Sequence, residues 1–175
     1  MKRSPGLRRL TELGRAQARS IGERLVDVHF DGIVRSWRRR AVETASILAA
    51  SIGGPAPRHS AHADDRTPFP SDRSSEPHEL RPFLNGVPAD ERDEDGRDLD
   101  RAVAGLSRVE PADRRTLVVT HNFVIGWFVR DALDAPSIRW TGLNSANGGL
   151  TIIRYEIDRP PQLIGFNHTE RLATT

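Results

Sequence analysis

The sequence predicts an α/β domain built on a largely parallel sheet, and two observations carry this prediction. Short apolar stretches typical of strands alternate with longer segments whose apolar residues recur at helical spacing. Such alternation is typical of folds in which helices cover the two faces of a sheet. The length of 175 residues suits one compact core. We therefore expect a single domain over residues 1–175.

A helix, a strand and a second helix are predicted in the first third of the chain. Thr11 is a suitable N-cap for a helix whose apolar residues keep helical spacing as far as Leu25. Residues 30–34 are a short apolar strand candidate. Apolar residues at helical spacing then run from Ala41 to Ile52, where Gly53-Gly54-Pro55 ends the second helix.

The middle of the chain, residues 55–97, is predicted to be an irregular insertion that passes over one face of the domain. Its prolines rule out long helices. They are Pro68, Pro70, Pro77, Pro82 and Pro88. Regular structure is predicted again afterwards: a helix around Leu99–Leu106, a buried strand over 116–120, an apolar helix over 123–133, and a closing pair of strands over 151–157 and 162–166.

Composition excludes several kinds of chemistry. The chain has no cysteine, so disulfides, thiolate metal sites, iron–sulfur clusters and a cysteine nucleophile are excluded. No His and Asp cluster has the spacing of a metal site, and we expect no metal and no cofactor. Catalysis must therefore come from His, Asp, Glu, Ser or Arg side chains.

The charges are nearly balanced, with 26 Lys+Arg against 24 Asp+Glu. Basic residues are mixed with acidic ones, as in Asp64-Asp65-Arg66 and Glu91-Arg92-Asp93, which is typical of a solvated surface. This pattern argues against a nucleic-acid partner. No apolar run has the length of a membrane span or of a signal-peptide core, so we expect a cytoplasmic protein without a membrane partner.

Two turns are the predicted ligand site. Ligands of parallel sheets bind at the carboxyl ends of strands, and a helix N-terminus there favours an anion. The turn from Val34 through Ser36 to Arg40 and the turn from Thr120 through His121 to Asn122 both join a strand to a helix.

Four segments in order resemble the motifs of one known family, the histidine phosphatase (phosphoglycerate mutase-like) superfamily. Leu10–Ala18 resembles its "LTxxGxxQA" helix, Arg35–Ala45 its "SSPLxRAxxTA" segment and Leu117–Asn122 its "VVTHxG" strand. Phe166–Leu172 is similar to the closing "FNxxxHL", with Arg171 in place of the usual histidine. The resemblance implies a three-layer α/β/α fold and a phosphate-monoester hydrolase that acts on a phosphorylated small molecule without a cofactor.

The resemblance also implies roles for individual residues. Arg40 would contact the transferred phosphoryl group, and His121 would stabilise its transition state. Fixed arginine and histidine donors suit the charge that spreads over phosphoryl oxygens. Ser36 and Asn122 would add polar contacts to the substrate.

A carboxylate in the insertion is the expected proton donor to the leaving group. Asp65, three residues before Pro68, resembles the family's arrangement and is our candidate general acid. Glu79 is the alternative.

One family motif has no match in the sequence: the first strand, which ends in Arg-His-Gly and carries the nucleophilic histidine. The only Arg-His pair is Arg58-His59, which follows the second predicted helix and is interpreted as part of a solvated loop. We therefore expect weak or no turnover from the chain as given. The alternative function is a non-catalytic module that binds phosphate ligands.

Three explanations of this difference stay open. The start codon could be assigned too far downstream, the chain could be a short relative that pairs its open sheet with another chain, or it could be a degenerate pseudoenzyme. A sheet without that strand has an open edge, and such an edge favours self-association.

Overall fold

The computed structural model describes residues 9–74 and 77–169 and has the predicted α/β organisation. The helices are α1 (Glu12–Arg24), α2 (Arg39–Ile52), α3 (Arg81–Asn85), α4 (Arg97–Leu106) and α5 (Asn122–Ala132). The strands are β1 (Gly32–Arg35), β2 (Arg58–His59), β3 (Thr67–Phe69), β4 (Arg92–Glu94), β5 (Thr116–Val119), β6 (Leu150–Arg154) and β7 (Gln162–His168). Residues 170–172 of the closing motif, including Arg171, lie outside the described residues.

The first two helices begin and end where local chemistry predicts. The Thr11 hydroxyl accepts a hydrogen bond from the Gly14 N–H at 3.1 Å, which caps α1. Gly53 adopts a left-handed conformation with φ of 60° and ends α2. The two helices pack together and, with β1 and β5, enclose one hydrophobic core.

The main sheet has the order β2-β1-β5, and all of its pairings are parallel. Val34 lies opposite Val118, and Arg35 lies opposite Val119. Just beyond β1, the Ser36 N–H donates to the carbonyl of Val119, the last residue of β5, at 3.1 Å. The carboxyl ends of β1 and β5 are therefore adjacent, and the two turns of the predicted ligand site meet there.

The insertion is more regular than the sequence predicts. The interpretation of Arg58-His59 as loop residues is wrong, because they form β2 and pair with Val34 and Arg35 of β1. β3 and β4 form a second parallel pair, with Thr67 opposite Arg92. Strands of two or three residues are too short to show a period in sequence, and long-range pairing alone stabilises them.

A second core joins the insertion to α4 and α5. Its buried members are Leu84, Val87, Leu99, Val103, Val124, Trp127 and Trp140. Gly96 lies at the start of α4 with φ of 74°, and a Cβ there would lie 2.4 Å from the Trp127 ring. Only glycine combines that backbone conformation with so close an approach.

β5 and β6 each leave one edge without a strand partner among the described residues. β5 pairs with β1, β6 pairs with β7 in an antiparallel ribbon, and no strand of the described part of the chain joins the two pairs. The carbonyls of Arg115 and Val119 accept hydrogen bonds from the β1 side, so the alternating backbone groups of Thr116 and Val118 point the other way.

Within the described residues, no helix is long and apolar enough to cross a membrane.

Candidate active site

Arg40 lies in the first turn of α2 and contacts both of the other predicted catalytic residues. Its Nη2 lies 2.6 Å from Asp65 Oδ2 and 3.1 Å from His121 Nδ1. The three residues come from three separate parts of the chain, and the adjacent ends of β1 and β5 bring them together. The structure thus assembles Arg40, Asp65 and His121 at the predicted edge of the sheet.

His121 presents a buried N–H group with no acceptor among the described residues. Its side chain is 6% exposed, directly after β5. Because a guanidinium only donates, Nδ1 must accept from Arg40, so the ring proton lies on Nε2. Nε2 is buried and has no hydrogen-bond partner among these residues. This nitrogen is the natural donor to a phosphoryl oxygen.

Burial keeps the His121 imidazole neutral. It lowers the pKa of His121 from 6.5 to about 4, with the Asp65 carboxylate opposing the shift and the charges of Arg40 and Arg38 adding to it. At neutral pH the ring therefore acts as a neutral hydrogen-bond donor, and the positive charge at this site comes from arginine.

Asp65 is positioned by its neighbour Asp64. The Asp64 carboxylate accepts from the Trp37 N–H at 3.0 Å and lies 3.1 Å from His59 Nε2, which ties the insertion to the turn after β1 and to β2. The Thr120 hydroxyl also donates to the Ala63 carbonyl at 2.8 Å. These bonds hold the loop so that Asp65 faces Arg40 and His121.

Asp65, rather than Glu79, lies at the cluster with Arg40 and His121. Asp65 is 13% exposed at the side chain, and its Oδ2 lies 3.6 Å from His121 Nδ1. Glu79 lies exposed in the 3₁₀ turn His78–Leu80.

Ser36 and Asn122 lie beside this cluster, with contacts that shape the backbone. Ser36 is fully buried, and its hydroxyl accepts from the Arg38 N–H at 3.3 Å. The Asn122 Oδ1 accepts from the Ser145 N–H at 2.6 Å. Their roles as substrate contacts stay predictions.

Sequence reasoning missed a buried ion pair beside the site. Arg38 is 4% exposed at the side chain, and its Nη2 lies 2.5 Å from Glu91 Oε1. Its Nε lies 3.7 Å from Asp65 Oδ2, and its guanidinium lies 4.5 Å from the Trp37 ring centre. Burial raises the pKa of Glu91, with the Asp65 charge adding to this effect and Arg38 opposing it.

One signal in the sequence points to Arg38. It stands at the leucine position of the "SSPLxRA" pattern, and an arginine in place of an apolar residue indicates a special partner.

The prediction that the mixed charges are solvated surface is wrong for Asp64 and Asp93, which are buried. Asp93 accepts from the N–H groups of Asp98 and Leu99 and so caps α4, an internal use of charge that composition does not reveal.

Comparison with known proteins identifies the family. The family model for the histidine phosphatase superfamily (branch 1) matches residues 6–169. The chain belongs to the histidine phosphatase superfamily. The resemblance of its motifs is thereby confirmed at the level of the family.

Similar proteins include several phosphatases. The serine/threonine-protein phosphatase Pgam5, mitochondrial, of Caenorhabditis briggsae is 29% identical over 148 residues, which are 81% of this chain and 50% of that protein. The chain thus spans about half the length of this curated relative.

Solved structures show the same fold. The α-ribazole phosphatase of Shigella flexneri has a TM-score of 0.71 at 17% identity and covers 97% of this chain and 92% of its own. The phosphoserine phosphatase of Entamoeba histolytica has a TM-score of 0.68 at 18% identity, covering 94% and 86%. The phosphoglycerate mutase of Plasmodium falciparum has a TM-score of 0.63 at 19% identity, covering 97% and 94%. The phosphoglycerate mutase-like fold predicted from the motifs is confirmed.

Proposed function

We propose that Arg40 and His121 bind the phosphoryl group and Asp65 is the general acid in a phosphate-monoester hydrolase site. One observation carries the proposal: Asp65 Oδ2 lies 2.6 Å from Arg40 Nη2 and 3.6 Å from His121 Nδ1 at the carboxyl ends of two parallel strands. The place that this carboxylate oxygen takes beside the Arg40 guanidinium is one that suits a phosphoryl oxygen. Family membership and the phosphatase relatives support the same class of reaction.

Each residue has a chemical role in this proposal. The Arg40 guanidinium binds two phosphoryl oxygens through paired charge-assisted hydrogen bonds. The His121 Nε2–H donates to a phosphoryl oxygen and stabilises the charge that develops in the transition state. Asp65, when protonated, donates to the leaving oxygen as the bond to phosphorus breaks.

A nucleophile is the part that the described residues do not supply at this site. All six histidines lie in the described part of the chain, and among them only His121 contacts Arg40 and Asp65. Since His121 is placed as a donor, we propose weak or no turnover by this chain alone. The second candidate function is a non-catalytic phosphate-binding module, and the unmatched Arg-His-Gly motif favours it.

An assay with p-nitrophenyl phosphate as substrate and added imidazole distinguishes the hydrolase site from the non-catalytic binding module. We expect slow release of p-nitrophenolate by the chain alone and a clear increase with imidazole, because imidazole can supply the missing attacking nitrogen. Its nitrogen bonds to phosphorus while the phosphorus–oxygen bond breaks and p-nitrophenolate leaves with the bonding electron pair. Water then hydrolyses the phosphoimidazole. The measurement is the imidazole-dependent rate in the wild type and in His121→Ala.

The outcomes assign the function. An imidazole-dependent rate that is lost in His121→Ala supports the hydrolase site. Binding of inorganic phosphate without any imidazole effect supports the binding module instead. Absence of phosphate binding overturns both. Robust turnover without imidazole contradicts our expectation for the chain as given.

We further propose self-association through the open edge of β5. Thr116 is exposed, and its backbone groups point away from β1. We expect a concentration-dependent dimer by light scattering, and Thr116→Lys reduces it because an edge lysine opposes strand pairing. The matched control is Thr141→Lys, an exposed threonine in the 3₁₀ segment Ser137–Gly142. A monomer at all concentrations, or equal effects of both lysines, contradicts this proposal.

We propose a small phosphorylated molecule as the substrate and the cytoplasm as the location. Two structural neighbours are named as an α-ribazole phosphatase and a phosphoserine phosphatase, which supports a small phosphate ester. A screen of small phosphate esters for imidazole-dependent phosphate release tests the substrate class, and cell fractionation tests the location.

A further inference from the structure

We propose that Arg38 is a third phosphate-binding residue of this pocket, beside Arg40 and His121. We further propose that phosphate displaces the Asp65 carboxylate from the pocket. The proposal rests on the function proposed above and adds to it a residue that the family pattern does not assign. At that position the pattern has leucine, so the arginine is a feature of this chain.

Two guanidinium groups face one oxygen atom. Asp65 Oδ2 lies 2.6 Å from Arg40 Nη2 and 3.7 Å from Arg38 Nε. The Arg38 distance is too long for a hydrogen bond, and Nε is buried without a partner among the described residues. A buried donor of this kind gains free energy when an anion accepts from it. A phosphoryl oxygen that replaces the Asp65 carboxylate and lies closer to Nε would accept this hydrogen bond.

The Arg38 guanidinium is held in place before any ligand arrives. Glu91 binds its Nη2 at 2.5 Å, and the Trp37 ring packs at 4.5 Å from its central carbon. These contacts fix a flexible side chain, so binding costs little further side-chain entropy. They also leave Nε on the side of Asp65, which is where Arg40 and His121 converge.

The charges explain why Asp65 must yield to phosphate. Arg38 and Arg40 carry two positive charges, and Asp65 and Glu91 can carry two negative charges against them, while the exposed Asp90 carboxylate lies 3.9 Å from Arg38 Nη2 at the surface. A phosphate dianion added to that balanced set would leave excess buried negative charge. Withdrawal or protonation of Asp65 removes part of the excess, and the protonated carboxyl is also the form needed for a general acid.

A different account gives Arg38 only a positioning role, in which it holds Asp65 and Glu91 and never contacts phosphate. A double-mutant cycle separates the two accounts. We would measure inorganic phosphate binding by calorimetry for the wild type, Arg38→Gln, Asp65→Asn and the double variant. If Arg38 binds phosphate, its loss weakens binding whether or not residue 65 is charged. If Arg38 acts through Asp65, its effect disappears in the Asp65→Asn background.

The expected results are specific. Asp65→Asn binds phosphate about tenfold more tightly, because a competing anion is removed. Arg38→Gln weakens binding about tenfold or more in both backgrounds, the factor typical of one hydrogen bond between charged groups. Equal phosphate affinity of Asp65→Asn and the double variant overturns the assignment of Arg38 while leaving the proposed function intact. No phosphate binding by the wild type and by Asp65→Asn overturns the proposed function as well.

Two further variants control for damage to the fold. Arg130 is a matched arginine on α5, with its Nε buried without a partner among the described residues, its guanidinium 4.3 Å from the Trp127 ring and Asp100 at 3.5 Å. Arg130→Gln reports the general cost of losing such a side chain and should leave phosphate affinity unchanged. Glu91→Gln keeps a side-chain oxygen that can accept from Arg38 Nη2 but removes the negative charge, so phosphate binding should tighten, whereas weaker binding contradicts the proposal.

Arg38→Lys covers the case in which Arg38→Gln does not fold. Lysine keeps the charge but lacks the planar fork and the Nε–H, so we expect intermediate loss of phosphate affinity in both backgrounds. Unchanged affinity on Arg38→Lys in the Asp65→Asn background overturns the proposal.

Discussion

Arg40→Met weakens the binding of inorganic phosphate by about a hundredfold or more. The variant removes the charged fork that lies 2.6 Å from Asp65 Oδ2 and 3.1 Å from His121 Nδ1, and with it the two strongest hydrogen bonds that we assign to phosphate. Methionine keeps much of the length of the side chain, so the helix retains its packing. Calorimetric titration with phosphate at neutral pH measures the effect.

Arg39→Met is the matched control for this experiment. Arg39 is the preceding residue of α2 and is exposed. Its loss changes the net charge of the protein by the same amount, and we expect an affinity within about twofold of the wild type because exposed charges are screened by solvent. Equal losses in the two variants would mean that phosphate senses only net charge, which contradicts the site.

Acid destabilises the wild-type protein more than a His121→Gln variant. Burial lowers the pKa of His121 to about 4, whereas the unfolded chain takes up this proton near pH 6.5. Between these values the unfolded state binds more protons, so the stability that the neutral ring contributes is present above pH 6.5 and is lost as the pH falls to about 4. The difference between the His121 pKa in the folded and the unfolded chain corresponds to about 3 kcal/mol of unfolding free energy, which is lost over this pH range.

Urea unfolding at pH 7, pH 5.5 and pH 4 measures this effect as the difference in unfolding free energy between the wild type and His121→Gln. We expect the difference to change by about 3 kcal/mol in favour of the variant from pH 7 to pH 4. His29→Gln is the control, because His29 is 82% exposed at the side chain and its variant should follow the wild type. A difference that does not change with pH would show that His121 is not buried as a neutral ring.

Local chemistry in the sequence predicted the main helices and the strand ends. The Thr11 cap and the left-handed Gly53 involve residues within a few positions of each other, so their effects are visible without the fold. Arg40 and His121 follow predicted strands, and parallel strands bring their carboxyl ends to one edge. For these features sequence reasoning was sufficient.

The insertion needed the tertiary structure. Asp64 is buried and contacts the Trp37 N–H and His59, and together with the Thr120–Ala63 hydrogen bond it holds the loop in which Asp65 faces Arg40. The sequence shows an ordinary pair of acidic residues there. Whether a charge is solvated or buried depends on what packs over it, and the packing partners lie far away along the chain.

By itself, the sequence determined the α/β class, the family resemblance and the two residues that flank the pocket, because strand and helix periods and short motifs are local properties. Only the tertiary structure decided that Arg38 and Glu91, 53 positions apart, form a buried pair beside Asp65. A buried charge is stable only with a partner within contact distance, and that distance is a property of the folded chain. The strands β2, β3 and β4 depend on long-range pairing for the same reason.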